Sequence, residues 1–276
     1  MRTGKFPKRI FSLWYQGIDS APELVRLNWK KWRELNPSYE LVILDSETCE
    51  PYLEHLPFDA NCLTHQARSD IIRLSLLSQH GGIWTDASVL PLRPLDDWLE
   101  AALSKSDFFA YERAGYTLPL SSWFLAAKPD ALIPKRWHDL SKTYWLCERS
   151  PLTTGQEIYF VPEEPEKVMK PFQTNPAMPY PYFWVHHLFG ILLQTDAQFQ
   201  NAWNSRLRVC ASVPHRLAEM FHEETLNRRG LKRYKYKLKS WLNGGLDKKI
   251  KLAVSGSEMQ KLDWRQDYPL NLLADL

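Results

Sequence analysis

A helical stretch that stops at two glycines and passes straight into a strand leaves this chain few architectures. Residues 65–82 read HQARSDIIRLSLLSQHGG, with Ile71, Ile72, Leu74, Leu76 and Leu77 apolar and Gly81-Gly82 as the stop. Ile83-Trp84-Thr85 follows at once as a short strand and runs into Asp86-Ala87-Ser88-Val89-Leu90, closed by Pro91 and Pro94. The first 60 residues carry the same signature. KRIFSLWYQG is a strand ending in a glycine turn, and LVRLNWKKWREL is a helix with Pro22 and Glu23 in its first turn and Asp19 or Ser20 as its cap. Asn36-Pro37 ends that helix, and 39–44 is a second strand. Strand, helix and strand at this spacing predict a right-handed βαβ crossover and a parallel pair.

Further strands are expected at 107–111 and 123–127, and helices at 131–147, 184–205 and 214–240. Residues 150–185, rich in proline and aromatics, should hold little regular structure. With no repeat and no low-complexity linker, one α/β domain over 1–276 with a helical, basic C-terminal part is the simplest organisation.

Composition excludes several classes. The 276 residues are 44% hydrophobic, which rules out a disordered or fibrous chain. No apolar run approaches the roughly 18 residues of a membrane span. The opening MRTGKFPKRIF has no signal-peptide run, so a cytoplasmic protein is expected. Cys49, Cys62, Cys147 and Cys210 show no metal or CxxC spacing and read as packing residues. Twelve tryptophans predict an aromatic-rich core, with a surplus that also suits sugar or nucleotide platforms.

The net charge of +3 hides an asymmetry: residues 228–251 carry +9 and the rest of the chain −6. Within that stripe Leu231, Tyr234, Leu238 and Leu242 recur at helical spacing, leaving cations on the other faces. Such a helix suits an anionic membrane surface, or simply water. Nucleic acid is disfavoured, because the remaining chain is acidic and no reading module appears.

The densest chemistry lies in Ser69-Asp70-Ile71-Ile72-Arg73 and in Asp86-Ala87-Ser88. Asp70 and Arg73 share an inward helix face, where a self-satisfied ion pair is the plain reading. Asp86 follows an apolar strand, the place where ligands bind in α/β sheets, or where an aspartate merely caps a turn.

These segments together resemble the capsular polysaccharide synthesis family and related retaining sugar transferases of the GT-A fold. The likeness rests on Ile10 and Trp14 in RIFSLW, then SDIIRLSLLSQHGGIWTDAS, and more loosely on FWVHHLFG and KLDW. It implies a GT-A-like, mostly parallel sheet flanked by helices. Residues up to about 130 would bind the nucleotide-sugar, and the remainder would form the acceptor side. It further implies that Trp14 stacks on the base, and that Asp70 and Arg73 hydrogen-bond the donor sugar. Asp86 would contact the donor and help hold Mn²⁺ or Mg²⁺. Where that family has a second acid, this chain has Ser88, a weaker neutral ligand for a hard cation. Ser257, Lys261 and Trp264 would close over the diphosphate, and Ser122 and His186 would stand on the acceptor side, although a strand entry explains Ser122 equally well and a core or capping histidine is the better plain reading of His186.

The implied activity is retaining transfer of a sugar to a saccharide or lipid-linked glycan acceptor in bacterial surface polysaccharide synthesis, on or near the inner face of the membrane. A silent glycan- or nucleotide-binding relative and a scaffold of a polysaccharide assembly complex remain the alternatives.

Overall fold

The computed structural model describes residues 6–112, 118–152, 179–226 and 245–276. Strands β1 (Arg9–Leu13), β2 (Glu40–Leu44), β3 (Gly82–Thr85), β5 (Phe108–Ala110) and β6 (Phe124–Ala127) form one sheet in the order β2-β1-β3-β6-β5. β1 is parallel to both β2 and β3, with Phe11 opposite Val42 on one side and Trp84 on the other. β6 runs antiparallel to β3 and to β5, so four strands share one direction and one opposes them. The parallel-rich sheet expected from the sequence is therefore present.

Period-two alternation splits the strand residues between two cores, one on each face. Phe11, Trp84, Phe108, Ala110, Leu125 and Ala127 enter the larger core, while Ile10, Ile83, Phe109, Phe124 and Ala126 enter the other. Both faces of the sheet are thus covered, as a parallel sheet requires. Six tryptophans, at 29, 32, 84, 137, 145 and 184, are fully buried. Of the cysteines only Cys49 is buried, so the packing role expected for all four holds for that one.

Helix α1 (Glu23–Leu35) presents Val25, Trp29 and Trp32, spaced four and three apart, to the sheet. Neither Asp19 nor Ser20 caps it. Residues Ile18–Ser20 form a 3₁₀ turn, the Ser20 hydroxyl donates back to the Gln16 and Gly17 carbonyls, and Pro22 occupies the cap position without a side-chain bond. α1 also fastens the chain beyond β3. Asn28 Nδ2 donates to the Ala87 carbonyl (2.9 Å) and Trp32 Nε1 to the Val89 carbonyl (3.1 Å).

Helix α2 (His65–His80) starts at Thr64, whose hydroxyl accepts from the Ala67 amide, and is buried on almost every side. It ends because Gly81 adopts φ 65°, a conformation that L side chains resist. A Cβ there would lie 2.9 Å from the Ala127 carbonyl oxygen, so nothing larger fits between helix and β6. The glycines let α2 turn directly into β3, which sets Asp86 at a fixed offset from Arg73.

The short helix α3 (Leu99–Ala102) packs against the second core. Helices α4 (Leu132–Tyr144), α5 (Trp184–Thr195) and α6 (Ala197–Ser205) complete the layer around α2. The stretch expected as one helical region from 184 divides at Asp196, whose carboxylate caps the Gln198 and Phe199 amides.

The remaining elements are α7 (Ser212–Leu226), α8 (Gly245–Val254), α9 (Leu270–Ala274) and a second, two-stranded sheet. In that sheet β4 (Val89–Pro91) pairs antiparallel with β7 (Met259–Lys261), Val89 lying opposite Lys261. Neither α8 nor β7 was expected from the sequence. Most of the basic stripe, residues 227–244, and the expected helix beyond 226 lie outside the described residues. Among the described residues no helix is long and apolar enough to cross a membrane.

Candidate functional site

Strand β3 delivers Asp86 to the end of the sheet, where three donors converge on its carboxylate. Oδ1 accepts from Trp84 Nε1 (3.1 Å) and faces Arg73 Nη2 (3.4 Å), while Oδ2 accepts from Lys261 Nζ (3.0 Å). Trp84 and Asp86 are two residues apart, so alternation places both on one side of the strand. The Asp86 amide donates to the Trp123 carbonyl (2.8 Å), tying the acid to the end of β6.

Arg73 organises the buried side of the site. Its Nη1 pairs with Asp70 Oδ1 (3.0 Å) and donates to the Ser122 carbonyl (3.0 Å), and its Nη2 donates to the Ser69 hydroxyl (3.1 Å). The guanidinium carbon also lies 5.1 Å from the Trp84 ring centre. Asp70 and Arg73 are 2% and 6% exposed, whereas Asp86 and Lys261 are 26% and 22% exposed. The arginine therefore joins an interior carboxylate to one at the cavity wall. Its planar fork serves two acids and a carbonyl at once, which a lysine could not.

The two acids differ electrostatically. Burial pushes the Asp70 carboxyl up to about 7, Arg73 opposing and the nearby Asp86 charge adding to the rise. Burial acts in the same sense on Asp86. There the Lys261 ammonium and the Arg73 guanidinium outweigh it and hold the acid below its usual range. Asp86 is a fixed anion at neutral pH.

Around Asp86 opens a cavity of about 460 Å³. Trp14, at the end of β1, and Trp264, after β7, meet edge to face with ring centres 5.4 Å apart and form one wall. Arg73, Lys261 and Arg265 bring positive charge to the lining, against Asp86 and Asp263. Flat aromatic surface beside several cations suits a ligand with a planar heterocycle and an anionic group.

Of the residues singled out from sequence, Trp14, Arg73, Asp86, Ser88, Lys261 and Trp264 line this cavity together. Asp70 stands behind Arg73 and is not part of the lining. Ser122 accepts from Arg73 through its backbone carbonyl and does not line the cavity. Ser257 is not brought to the cavity: it is buried, and its hydroxyl donates to the Met259 carbonyl. His186 is buried, with the edge of its ring against Phe183, and does not line the cavity. Sequence reasoning did not nominate Gln66, Ser69, Trp84, Tyr182, His215, Asp263 or Arg265, which do. Two were within reach: Ser69 lies one helical turn before Arg73, and Trp84 lies two residues before Asp86.

A divalent ion held by Asp86 and Ser88 does not fit the residues present. Both Asp86 oxygens already face cationic donors, and the Ser88 hydroxyl accepts from Lys261 Nζ at 2.5 Å. A hard cation prefers several carboxylate oxygens, and among the described residues no three His, Cys, Asp or Glu side chains are grouped to hold a metal.

Comparison with known proteins gives the context. The glycosyltransferase afumC of Aspergillus fumigatus is 26% identical over 159 residues, covering 50% of this chain and 40% of that protein. The initiation-specific alpha-1,6-mannosyltransferase of Candida albicans is 30% identical over 104 residues, covering 34% of this chain and 27% of its own length. The chain thus spans well under half the length of these relatives. Among solved structures, the PaToxG glycosyltransferase covers 71% of this chain and 73% of its own, at 14% identity and a TM-score of 0.38. The family model described as capsular polysaccharide synthesis protein matches residues 2–161, more than half of the sequence, and the chain belongs to that family.

Proposed function

We propose that this chain is a glycosyltransferase that moves a sugar from a nucleotide-sugar donor to a saccharide acceptor. One observation carries the reading: an anionic Asp86 at a strand end, gripped by Arg73 and Lys261, opens on a cavity walled by Trp14 and Trp264. Relatives named as glycosyltransferases support it.

In the reaction the bond between the sugar C1 and the diphosphate oxygen breaks, and its electron pair leaves with the phosphate. The acceptor hydroxyl oxygen forms the new bond to C1, and its proton passes to the departing phosphate. Trp14 and Trp264 would hold the base, and Arg73 would orient Asp86 toward the sugar hydroxyls. Cationic groups at the cavity wall would stabilise the charge that develops on the diphosphate. Retention of configuration belongs to the same proposal, since a same-face transfer needs no separate strong base and none of the cavity-lining acids is free of a cationic partner. Bacterial surface polysaccharide as the product, and contact of residues 228–251 with an anionic membrane, are supported by the family and by the charge of that stripe.

The test is release of nucleotide from a panel of UDP-, GDP-, CMP- and dTDP-sugars, with and without Mn²⁺, by the wild type and by Asp86→Ala. One donor should be hydrolysed slowly, and Asp86→Ala should lower that rate about 100-fold or more, as loss of a site-organising charge does. Silence across the panel, together with no donor binding by calorimetry, would overturn the reading.

A further inference from the structure

The cation that grips Asp86 from the open side comes from the far end of the chain. Lys261 reaches it because β7 pairs with β4: Val89 lies opposite Lys261, and the Leu262 amide donates to the Ser88 carbonyl at 3.0 Å. The strand is anchored behind by Gln260, fully buried, which accepts from the Leu217 amide (3.0 Å) and donates to the Val213 carbonyl (3.1 Å). Met259 and Leu262, on either side, are buried in two different cores. Lys261 is therefore not a loose surface side chain. Its ammonium is delivered to one place, between Asp86 Oδ2 and Ser88 Oγ.

We propose that the Lys261 ammonium does the work of a divalent metal ion at this site, so that a nucleoside diphosphate is bound, and its departure assisted, without a metal. This rests on the donor-site reading given above. The two atoms that Lys261 bridges, Asp86 Oδ2 and Ser88 Oγ, are the side-chain oxygens of the two positions that would have to hold an ion.

Charge bookkeeping points the same way. A divalent ion with two carboxylates and an ammonium with one carboxylate and one hydroxyl have equal net charge. Serine at 88 is what an ammonium needs, a neutral acceptor, and what a metal ion lacks, a second anionic ligand. Entry of an ion would require expelling Lys261 from both acceptors and leaving its charge unpaired at a partly buried wall. Arg265, also on the lining, adds a second cation on the same side as Lys261. During transfer the Lys261 ammonium donates hydrogen bonds to the phosphate oxygens as the sugar–oxygen bond breaks.

If the Lys261–Asp86 contact were only structural, replacing the lysine would alter folding and leave ligand binding untouched. The experiment is calorimetric titration of UDP, GDP, CDP, ADP and dTDP, in EDTA and in Mn²⁺, into wild type, Lys261→Met and the double variant Lys261→Met with Ser88→Asp. Circular dichroism confirms that each variant is folded. The wild type should bind one of the five with affinities within about twofold in the two buffers. Lys261→Met should weaken metal-free binding roughly 10- to 100-fold, as loss of a charge-assisted hydrogen bond does. The double variant, given back a second acid and freed of the ammonium, should regain binding in Mn²⁺ and not in EDTA.

Loss of wild-type binding in EDTA with binding kept in Mn²⁺ would overturn the inference and leave the donor reading standing. Unchanged metal-free binding by Lys261→Met would do the same. Absence of binding for all five nucleotides in both buffers would bring down the donor reading, and this inference with it. Should Lys261→Met not fold, the wild-type EDTA arm still decides, and Lys261→Arg, which keeps the charge, should retain metal-free binding.

Discussion

The two sides of the cavity are built in opposite ways. The floor, from α2 through β3 to Ser88, is one continuous stretch of sequence, mostly buried, with Asp70, Arg73 and Asp86 joined by contacts within it. The opposite wall is a three-residue strand and the turn after it, held to the floor by pairing with β4 and by the Gln260 bridge. The floor fixes a carboxylate; the wall brings the cation that faces the cavity. Preorganised charge is cheapest where the chain is rigid, and charge that must meet an incoming anion is better placed where some exposure remains.

That contrast can be broken at four points, taken from the largest expected effect downward. Arg73→Gln leaves Asp70 buried beside no cation, and breaking such a pair costs about 3–5 kcal/mol. Denaturant titration measures it, and a loss under about 1 kcal/mol would mean the floor is not organised around this arginine.

The second concerns pH. Asp70 has a folded pKa raised to about 7, above its unfolded value, so its stabilising contribution is present at low pH and disappears as pH rises through 7. Between pH 4 and 7 this term should lower wild-type stability by roughly 3 kcal/mol. Asp70→Asn should flatten that slope. Equal slopes for the two proteins would show that Asp70 is ionised throughout.

Third, Gln260→Ala removes a buried bridge between β7 and α7 and should cost about 1–2 kcal/mol. It should also increase amide exchange in β7 without affecting β3; equal exchange in both strands would dissolve the contrast between wall and floor. Smallest in stability is Lys261→Met, expected to change the unfolding free energy by less than about 1 kcal/mol because the pair is partly exposed. Its consequence is in binding instead. A stability loss above about 3 kcal/mol would make Lys261 part of the floor.

The same contrast governs what could be read from the sequence. β1, β2, β3, β5 and β6 announce themselves by short apolar runs, and α2 by its apolar residues and terminal glycines, because each signal is local. Asp70, Arg73 and Asp86 sit within that local pattern, so their grouping was legible. β7 was not: Met, Gln and Lys give no strand signal, and the partner that makes them a strand lies about 170 residues earlier. Lys261 was named from the family likeness, but its position against Asp86 and Ser88 is a tertiary fact. Ser257 failed for a related reason. A serine in a turn finds its own backbone first, here the Met259 carbonyl. The Asp19 or Ser20 cap failed likewise, since the Ser20 hydroxyl closes a 3₁₀ turn before α1 begins.

The pairing of Val89 with Lys261 also has a meaning for the birth of the protein. During synthesis the floor can form once β6 and the helices around α2 have emerged, but its open carboxylate must wait for residue 261 to be made. Contacts so far apart in sequence are slow to close. A chain not yet made as far as β7 would carry Asp86 with Arg73 as its one cation among the described residues, and the proposed ligand affinity would switch on only when β7 docks. Time-resolved nucleotide binding during refolding should lag behind recovery of helical signal by the time β7 takes to find β4.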